Sequence, residues 1–336
     1  MSAATADRTP LVEIALSTYN GARFIDEQLD SYVSQTFHDW ALVVRDDASS
    51  DDTVERIRRH ARAHGYPLRF TTESGVHAGY PATFYSLFEQ TRSPVVLFSD
   101  QDDVWMPEKI ALTVDHLDHL PKNRPALMHS DLSVVDANLR EIHPSYLRYR
   151  SSYPPRSTSV TGLLCWEYVT GCTMGVNARA REMFKRPPAG VRAGHDAWIA
   201  LTCAALGTVQ FMDRPTLFYR QHGANVIGAD YRSTTAGVVP WSRLSLVERR
   251  ARNAAPLARA RALLDCHGED LTEKARAELT FFANLDAVNP LALWELGRSG
   301  ALPADRHVRR RVLWMLAKMQ LKERLLAAQA RFKGAT

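Results

Sequence analysis

Three carboxylates in four positions, Asp100, Asp102 and Asp103, are the residues of this sequence best suited to chemistry. They follow the apolar run 95–98, which predicts a short buried strand, and precede Pro107, a residue that favours the start of a helix. Carboxylates this close repel one another unless a cation offsets their charge. Magnesium and manganese take oxygen ligands and are often shared with substrate phosphates. The loop therefore predicts a divalent-cation site, with a solvated acidic turn as the alternative.

Two further polar segments follow predicted strands in the first half of the chain. Asp46 and Asp47 come after the apolar run 40–44, and the polar turn 17–21 comes after the run 11–16. Ligands of open α/β sheets bind outside the carboxyl ends of the strands, so we expect these segments to meet. No GxxxxGK[ST] or GxGxxG sequence follows the first strand, which argues against the usual phosphate loops of NTPases and dinucleotide enzymes.

The second half of the chain adds one more group of chemical interest. The pattern 192–206 predicts a helix that has His195 and Asp196 in its first turn. The helix dipole favours a carboxylate there and tends to keep it ionised. Gly171, in the apolar run 169–176, predicts a close approach of the backbone to a ligand.

Strands and helices alternate along the first 120 residues, which predicts a mainly parallel sheet covered on both faces. In the second half, strands are expected at 127–135, 208–212 and 215–219, and the segment 143–160 is expected to be an irregular loop. From residue 241 onward the pattern is almost entirely helical.

The positive charge of the chain is concentrated at its C-terminal end. The 336 residues carry a net charge of +5, while residues 303–336 alone hold nine Lys or Arg against two Asp or Glu. A basic amphipathic helix of this kind binds an anionic membrane surface as a peripheral element, or packs on its own domain or in a homodimer; both interpretations stay open. The basic residues are not interleaved with a nucleic-acid-binding module, so no nucleic acid partner is expected.

The cysteines and the N-terminal segment indicate a cytoplasmic protein. The four cysteines lack CxxC spacing, which predicts free thiols in a reducing compartment instead of a zinc site or a disulfide framework. The first ten residues have no apolar signal-peptide core, and no window of eighteen apolar residues predicts a membrane span. Attachment to the inner face of the membrane through the tail stays open.

Six segments, taken together and in order, resemble family 2 inverting glycosyltransferases of the GT-A fold, and among them the bacterial rhamnosyltransferase-like branch. The segments are LSTYNG (16–21), QTFHDWALVVRDDASSDDT (35–53), FSDQDDVWMPEK (98–109), TGCTMGVN (170–177), GHDAWIAL (194–201) and YRQHGANVIG (219–228). The resemblance implies an α/β fold with a Rossmann-like, mainly parallel mixed sheet flanked by helices. It places this GT-A domain at 8–232 and leaves 233–336 as a helical C-terminal extension.

The resemblance also implies the activity. A sugar, such as the deoxysugar rhamnose, would pass with inversion from a nucleotide-diphospho-sugar of the dTDP or UDP type to an acceptor hydroxyl. The acceptor would be a glycan, a lipid-linked molecule or a small molecule, and Mg²⁺ or Mn²⁺ would be the cofactor. Two alternatives stay open, a sugar-phosphate nucleotidyltransferase and a catalytically degenerate nucleotide-sugar-binding module. A nucleotidyltransferase is expected to carry a Gly-rich basic segment near its first strand, which this sequence lacks.

Roles for single residues follow from the same resemblance. The general base would be Asp196, and the metal ligands would be Asp102 and His222. The nucleotide would be contacted by Thr18, Tyr19, Asn20, Asp46, Asp47 and Asp100. The diphosphate, the sugar or the acceptor would be contacted by Asp103, Trp105, Gly171, Cys172, His195 and Arg220. His195 replaces the Glu that precedes the base in many relatives, and core packing is the alternative role for Trp105 and Cys172.

Overall fold

The computed structural model describes residues 9–71, 77–150, 158–223 and 246–285. Within them the strands are β1 Val12–Thr18, β2 Trp40–Asp46, β3 Leu68–Phe70, β4 Val95–Ser99, β5 Val104–Trp105, β6 Ala126–Asp136, β7 Glu141–His143, β8 Met174–Asn177 and β9 Thr208–Gln221. The helices are α1 Ile25–Val33, α2 Thr53–His64, α3 Ala82–Glu89, α4 Lys109–Asp118, α5 Tyr146–Tyr149, α6 Val160–Cys165, α7 Ala178–Glu182, α8 His195–Leu206, α9 Leu246–His267 and α10 Glu273–Ala283. No helix in these ranges is long and apolar enough to cross a membrane.

All nine strands belong to one sheet, in the order β3–β2–β1–β4–β8–β6–β9–β5, with β7 beside β6. The strands β3, β2, β1 and β4 are parallel, and β8 runs antiparallel to both of its neighbours. β1, β2 and β4 are almost continuous apolar runs buried along nearly their whole length, as expected for parallel strands covered on both faces. The mixed, mainly parallel sheet predicted from the sequence is therefore present.

The register of the parallel strands brings the predicted chemical residues to one edge of the sheet. Thr18 at the end of β1 lies opposite Asp46 at the end of β2, and Leu16 lies opposite Ser99 at the end of β4. The polar turn after β1, the aspartates after β2 and the acidic loop after β4 thus leave the sheet side by side. This is the arrangement that the positions of the apolar runs predicted.

Two predictions of local structure are wrong. Residues 208–212 and 215–219 both belong to the single strand β9. The register of β9 against β6 shifts between Ser130 and Asp131, where Pro215 enters the pairing. A proline removes one ladder hydrogen bond, and here the sheet absorbs this as an irregularity and continues. The segment 143–160 is not wholly irregular either, since it contains α5, capped by the Ser145 hydroxyl.

The chain divides into two compact units. The first consists of residues 1–154, 168–186 and 193–239 and contains the sheet. The second consists of 155–167, 187–192 and 240–336, and its described elements are the helices α6, α9 and α10. The boundary predicted at residue 232 stays a prediction. The basic tail 303–336, with both of its interpretations, lies outside the described residues.

Candidate active site

The turn after β1 and the turn after β2 are tied together by side-chain hydrogen bonds. The Thr18 hydroxyl donates to Asp46 Oδ1 at 2.7 Å. The same carboxylate accepts from the Ser49 backbone N–H at 2.8 Å and from the Ser49 hydroxyl at 2.6 Å. Asn20 Oδ1 accepts from the Ser50 backbone N–H at 2.8 Å. Asp46 therefore stabilises the turn by accepting these hydrogen bonds. A contact between Asp46 and a nucleotide stays a prediction.

Asp47 holds a third loop against this edge. Its Oδ1 accepts from the backbone N–H of Ala78 and its Oδ2 from that of Gly79, each at 2.7 Å. His77 Nδ1 lies 2.9 Å from the same Oδ2. A carboxylate offers about four lone-pair positions, so about one remains for a further N–H donor such as a base imide. Asp47 thus fastens the loop 77–79 and keeps limited capacity for a nucleotide.

Tyr19 presents an aromatic surface at this edge. Its side chain is 46% exposed, and its ring centroid lies 4.4 Å from that of His77. Gln101, from the acidic loop, fixes the backbone of Tyr19 by accepting from its N–H at 2.8 Å and donating to its carbonyl at 2.9 Å. A Cβ on Gly21 would lie only 2.3 Å from Gln101 Oε1, so this close approach requires glycine. The turn and the acidic loop therefore form one rigid unit.

The acidic loop is held from below by Arg220 of β9. Its guanidinium donates to the carbonyls of Asp102 and Ala137, each at 2.8 Å, and to Glu27 at 2.6 Å. The side chain is 1% exposed and lies over the ring of Phe24 at 4.7 Å. The structure therefore places the guanidinium in the interior beneath the loop. The predicted contact between Arg220 and a diphosphate stays untested.

Asp102 and His222 face one another across this loop. Asp102 Oδ2 lies 2.7 Å from His222 Nε2, and the two side chains are 16% and 10% exposed. A carboxylate and an imidazole at this separation are ligand types that Mn²⁺ and related ions accept. The structure thus brings together the two residues for which metal binding was predicted.

The neighbouring carboxylates carry an excess of negative charge. The ligand atoms of Asp100, Asp103 and Cys172 all lie within 4.8 Å of one another. Burial, followed by the charges of Asp102 and Asp196, raises the pKa of Asp100 to about 7. Burial and the same kind of repulsion raise the pKa of Asp103 well above its usual range. Asp103 Oδ2 has no hydrogen-bond partner among the described residues, so the loop has room for a positive charge.

Lys109 and Trp105 support the acidic loop from the interior. Burial lowers the pKa of Lys109 to about 8, and its Nζ donates to Thr216 Oγ1 at 3.3 Å. The ammonium lies 4.9 Å from the ring of Trp105, which is 2% exposed and packs edge-on against Tyr32. Trp105 is therefore a core residue in this structure, which is the alternative role given for it above, and a contact with the sugar stays a prediction.

The start of α8 brings His195 and Asp196 to the same region. The His195 ring stacks on Phe84 with a centroid distance of 4.0 Å, and burial lowers its pKa to about 3, so the ring is neutral. A Cβ on Gly171 would lie 2.5 Å from His195 Nε2. The backbone at Gly171 is therefore closely approached by this histidine, and the predicted approach of Gly171 to a ligand stays a prediction. His195 packs behind the site and carries no charge into it.

Asp196 is oriented by two donors. Its Oδ1 accepts from the Ala197 backbone N–H at 2.7 Å and from the Tyr80 hydroxyl at 3.3 Å. His195 at the start of α8 lies against Gly171, and the thiol of the next residue, Cys172, lies within 4.8 Å of an Asp100 oxygen, which places the start of α8 beside the acidic loop. The predicted base, the predicted metal-binding loop and the predicted nucleotide edge therefore border one region of the first unit.

Sequence reasoning missed four residues that shape this region. Gln101 fixes Tyr19, Tyr80 donates to Asp196, His77 contacts Asp47, and Lys109 lies behind the loop. Gln101 could have been found, since it stands between Asp100 and Asp102 in the acidic segment. The other three come from helices or loops whose sequence carries no signal of the contact.

The sequence that forms this site is similar to that of a known protein family. Residues 13–176 match the family model described as Glycosyl transferase family 2. The region 13–176 belongs to glycosyl transferase family 2. The match includes β1, β2, β4 and the acidic loop, but it ends before α8 and β9.

Among curated relatives of this family 2 glycosyltransferase is the dTDP-rhamnosyl transferase RfbG of Shigella flexneri. It is 24% identical over 301 residues, which cover 85% of this chain and 95% of the relative. An uncharacterised glycosyltransferase of Nostoc sp. is 26% identical over 223 residues, covering 64% of this chain and 66% of the relative. Both of these relatives are named as glycosyltransferases.

Among solved structures, a crystal structure of S. aureus TarS 1–349 in complex with UDP-GlcNAc is similar in fold. The TM-score is 0.55 at 15% identity, and the alignment covers 94% of this chain and 91% of that chain. The GT-A fold with a helical C-terminal region is therefore confirmed.

Proposed function

We propose that this glycosyltransferase moves a sugar with inversion, using Asp196 as general base and a divalent cation held at the acidic loop. The observation that supports the proposal most is that the start of α8, which carries Asp196, lies against Gly171, next to the Cys172 thiol that is within 4.8 Å of an Asp100 oxygen. Inverting transfer needs a base on the acceptor side and a positive charge on the leaving-group side. Both requirements have candidates within one region here.

Asp196 would accept the proton of the acceptor hydroxyl at its carboxylate. The Ala197 N–H and the Tyr80 hydroxyl hold that carboxylate in one orientation. A second carboxylate acting as nucleophile is not required, because inversion takes place in a single displacement. Tyr80 is therefore a positioning residue for the base.

The residues of the acidic loop fit a hard divalent cation such as Mg²⁺ or Mn²⁺. Asp102 and His222 would hold it, beside the buried Asp103 Oδ2, which has no hydrogen-bond partner among the described residues. When bound, such a cation neutralises the charge that develops on the departing diphosphate. Arg220 and Lys109 would act through the loop by keeping its carboxylates in place.

The nucleotide would lie on the edge formed by Thr18, Tyr19 and Asp47. Tyr19 offers a face for the base, and Asp47 retains about one lone-pair position for an imide N–H. Thymine and uracil carry that N–H, whereas cytosine does not. Similarity to the dTDP-rhamnosyl transferase supports a dTDP-deoxysugar donor such as dTDP-rhamnose, with a UDP-sugar as the alternative.

Replacement of Asp196 by asparagine tests the proposed base. Asp196→Asn keeps the size of the side chain and should lower turnover by about 10²–10⁴-fold, the usual contribution of a positioned base. Donor affinity measured by calorimetry should change by less than about twofold, since the base acts on the acceptor. The control is Asp213→Asn, whose carboxylate is half-exposed and pairs only loosely with Arg148 at 3.4 Å. Equal losses of donor affinity and turnover in Asp196→Asn would show that Asp196 is a binding residue.

A further inference from the structure

A second group of metal-ligand residues lies outside the candidate active site. The ligand atoms of Asp30, His60 and His64 lie within 4.8 Å of one another. His60 Nε2 is 2.9 Å from Asp30 Oδ1, and the rings of His60 and His64 are stacked with a centroid distance of 4.3 Å. Asp30 belongs to α1 and the two histidines to α2, so the group bridges two helices. It shares no residue with the acidic loop.

The spacing of the two histidines is that of a chelating pair. Residues i and i+4 lie on the same face of a helix, and two histidines at this spacing bind zinc in metalloproteases. Two ligands at 2.0–2.2 Å from one tetrahedral or octahedral ion are separated by about 3.0–3.4 Å. The His60–Asp30 separation of 2.9 Å is already close to that value. His64 is exposed at the end of α2, so its side chain can rotate to complete the set.

The charges at the helix ends favour a cation at this place. Asp30 lies in the last turn of α1, which contains no basic residue. A carboxylate there is opposed by the negative end of the helix dipole. His64 is the last residue of α2, whose C-terminal carbonyls also face outward. A divalent ion between the two helix ends would offset the negative charge of the Asp30 carboxylate and of the C-terminal carbonyls. A neutral His60 ring supplies Asp30 with only one hydrogen bond.

His60 also has the partner that metal-binding histidines normally have. Its Nδ1 lies 3.0 Å from the Tyr66 hydroxyl, and its side chain is only 10% exposed. Ligating histidines usually donate their second ring N–H to a neighbouring oxygen, which fixes the ring and the tautomer. On metal binding, the neutral ring would adopt the other tautomer, in which Nε2 binds the ion and its proton stands on Nδ1, from where it would be donated to the tyrosine oxygen. Tyr66 would thus serve as the outer partner of the ligand.

We infer that Asp30, His60 and His64 form a second divalent-metal site, distinct from the acidic loop, that binds zinc or a similar borderline ion. Two imidazoles and one carboxylate favour Zn²⁺ over Mg²⁺, which prefers oxygen ligands only. The ion would join α1, which follows the turn containing Tyr19, to α2, which follows the turn containing Asp47. It would therefore stabilise the helices that lead away from the proposed nucleotide edge.

Zinc binding by the full chain, stripped of metal and without a polyhistidine tag, tests this inference. Calorimetry with ZnCl₂ compares all variants in one Asp102→Asn background, which weakens binding at the acidic loop and makes whatever binding remains there common to every variant. His64→Gln should raise the Kd for Zn²⁺ about tenfold or more, and Tyr66→Phe, which removes only the hydroxyl, about 10–100-fold. The matched control is His119→Gln, an exposed histidine at the end of α4, and its Kd should stay within about twofold of the parent value.

A second readout follows the same ion by spectroscopy. Co²⁺ in place of Zn²⁺ should give visible absorption bands that are lost in His64→Gln and kept in His119→Gln. Circular dichroism of each variant verifies that the chain remains folded. Equal Zn²⁺ affinity in His64→Gln and His119→Gln, or no Zn²⁺ binding by the parent chain at micromolar concentrations, would overturn the inference and leave a simple His60–Asp30 ion pair.

Discussion

Replacement of Arg220 by methionine should reduce the free energy of unfolding by several kcal/mol. Methionine keeps an unbranched stem beside Phe24 but removes the donors to the carbonyls of Asp102 and Ala137. A hydrogen bond from a charged donor contributes about 1.5–3 kcal/mol, so two such bonds give about 3–6 kcal/mol. We therefore expect Arg220→Met to cost about 3–6 kcal/mol.

The ion pair with Glu27 contributes little to this figure, which provides the control. The Glu27 side chain is 52% exposed, and exposed ion pairs contribute about 0–1 kcal/mol. Glu27→Gln should therefore cost less than about 1 kcal/mol. Urea unfolding of the full chain, followed by the fluorescence of its seven tryptophans and by circular dichroism, measures both variants.

The alternative role of Arg220, direct binding of the diphosphate, gives a different result. In that case Arg220→Met would unfold at nearly the urea concentration of Glu27→Gln, while its affinity for a nucleoside diphosphate would fall sharply. That outcome would refute the conclusion that the guanidinium supports the acidic loop from the interior. A large loss of stability, with nucleotide affinity retained at low urea and low temperature, would support it.

Three further predictions concern the divalent cation, the nucleotide base of the donor and the dependence of stability on pH. Asp102→Asn should abolish activity while the chain remains folded, and excess EDTA should inactivate the parent protein; full activity in EDTA contradicts metal assistance, and Asp118→Asn, at an exposed position at the end of α4, is the control. TDP and UDP should raise the melting temperature more than CDP does, and this preference should disappear in Asp47→Asn; equal protection by every base refutes it. Burial lowers the pKa of His129 to about 3, below its unfolded value of 6.5, so its contribution to stability is complete above pH 6.5 and is lost as the pH falls toward 3. His129→Leu should therefore flatten the dependence of unfolding free energy on pH between 4 and 6 by about 1.4 kcal/mol per pH unit, and an unchanged slope would contradict this origin.

The parts of the fold and site that are local in sequence were predictable. Continuous apolar runs identified β1, β2 and β4, and the polar residues that follow them lie at one edge because parallel strands end together. Asp196 could be placed at the start of a helix from the pattern of residues around it. Each of these inferences uses neighbours within about one turn or one strand.

The parts that depend on distant partners were not predictable. Arg220 is internal because its acceptors at positions 27, 102 and 137 surround it, and no local pattern contains that information. For the same reason, the stacking of His195 on Phe84 and the hydrogen bonds from the loop 77–79 to Asp47 could not be predicted. Pro215 misled the assignment of β9, since a proline in an apolar pattern normally marks the end of a strand.

The position of β9 has a consequence for the order in which the protein can mature on the ribosome. The acidic loop at residues 100–103 is complete early in synthesis, but Arg220 and His222, which hold it, emerge more than a hundred residues later. During that interval the crowded carboxylates of the acidic loop lack the Arg220 guanidinium that supports the loop in the folded protein. A chain cut at residue 176, where the family match ends, would stay in that state permanently. Any shortened form meant to retain the site must therefore extend past β9 and include His222.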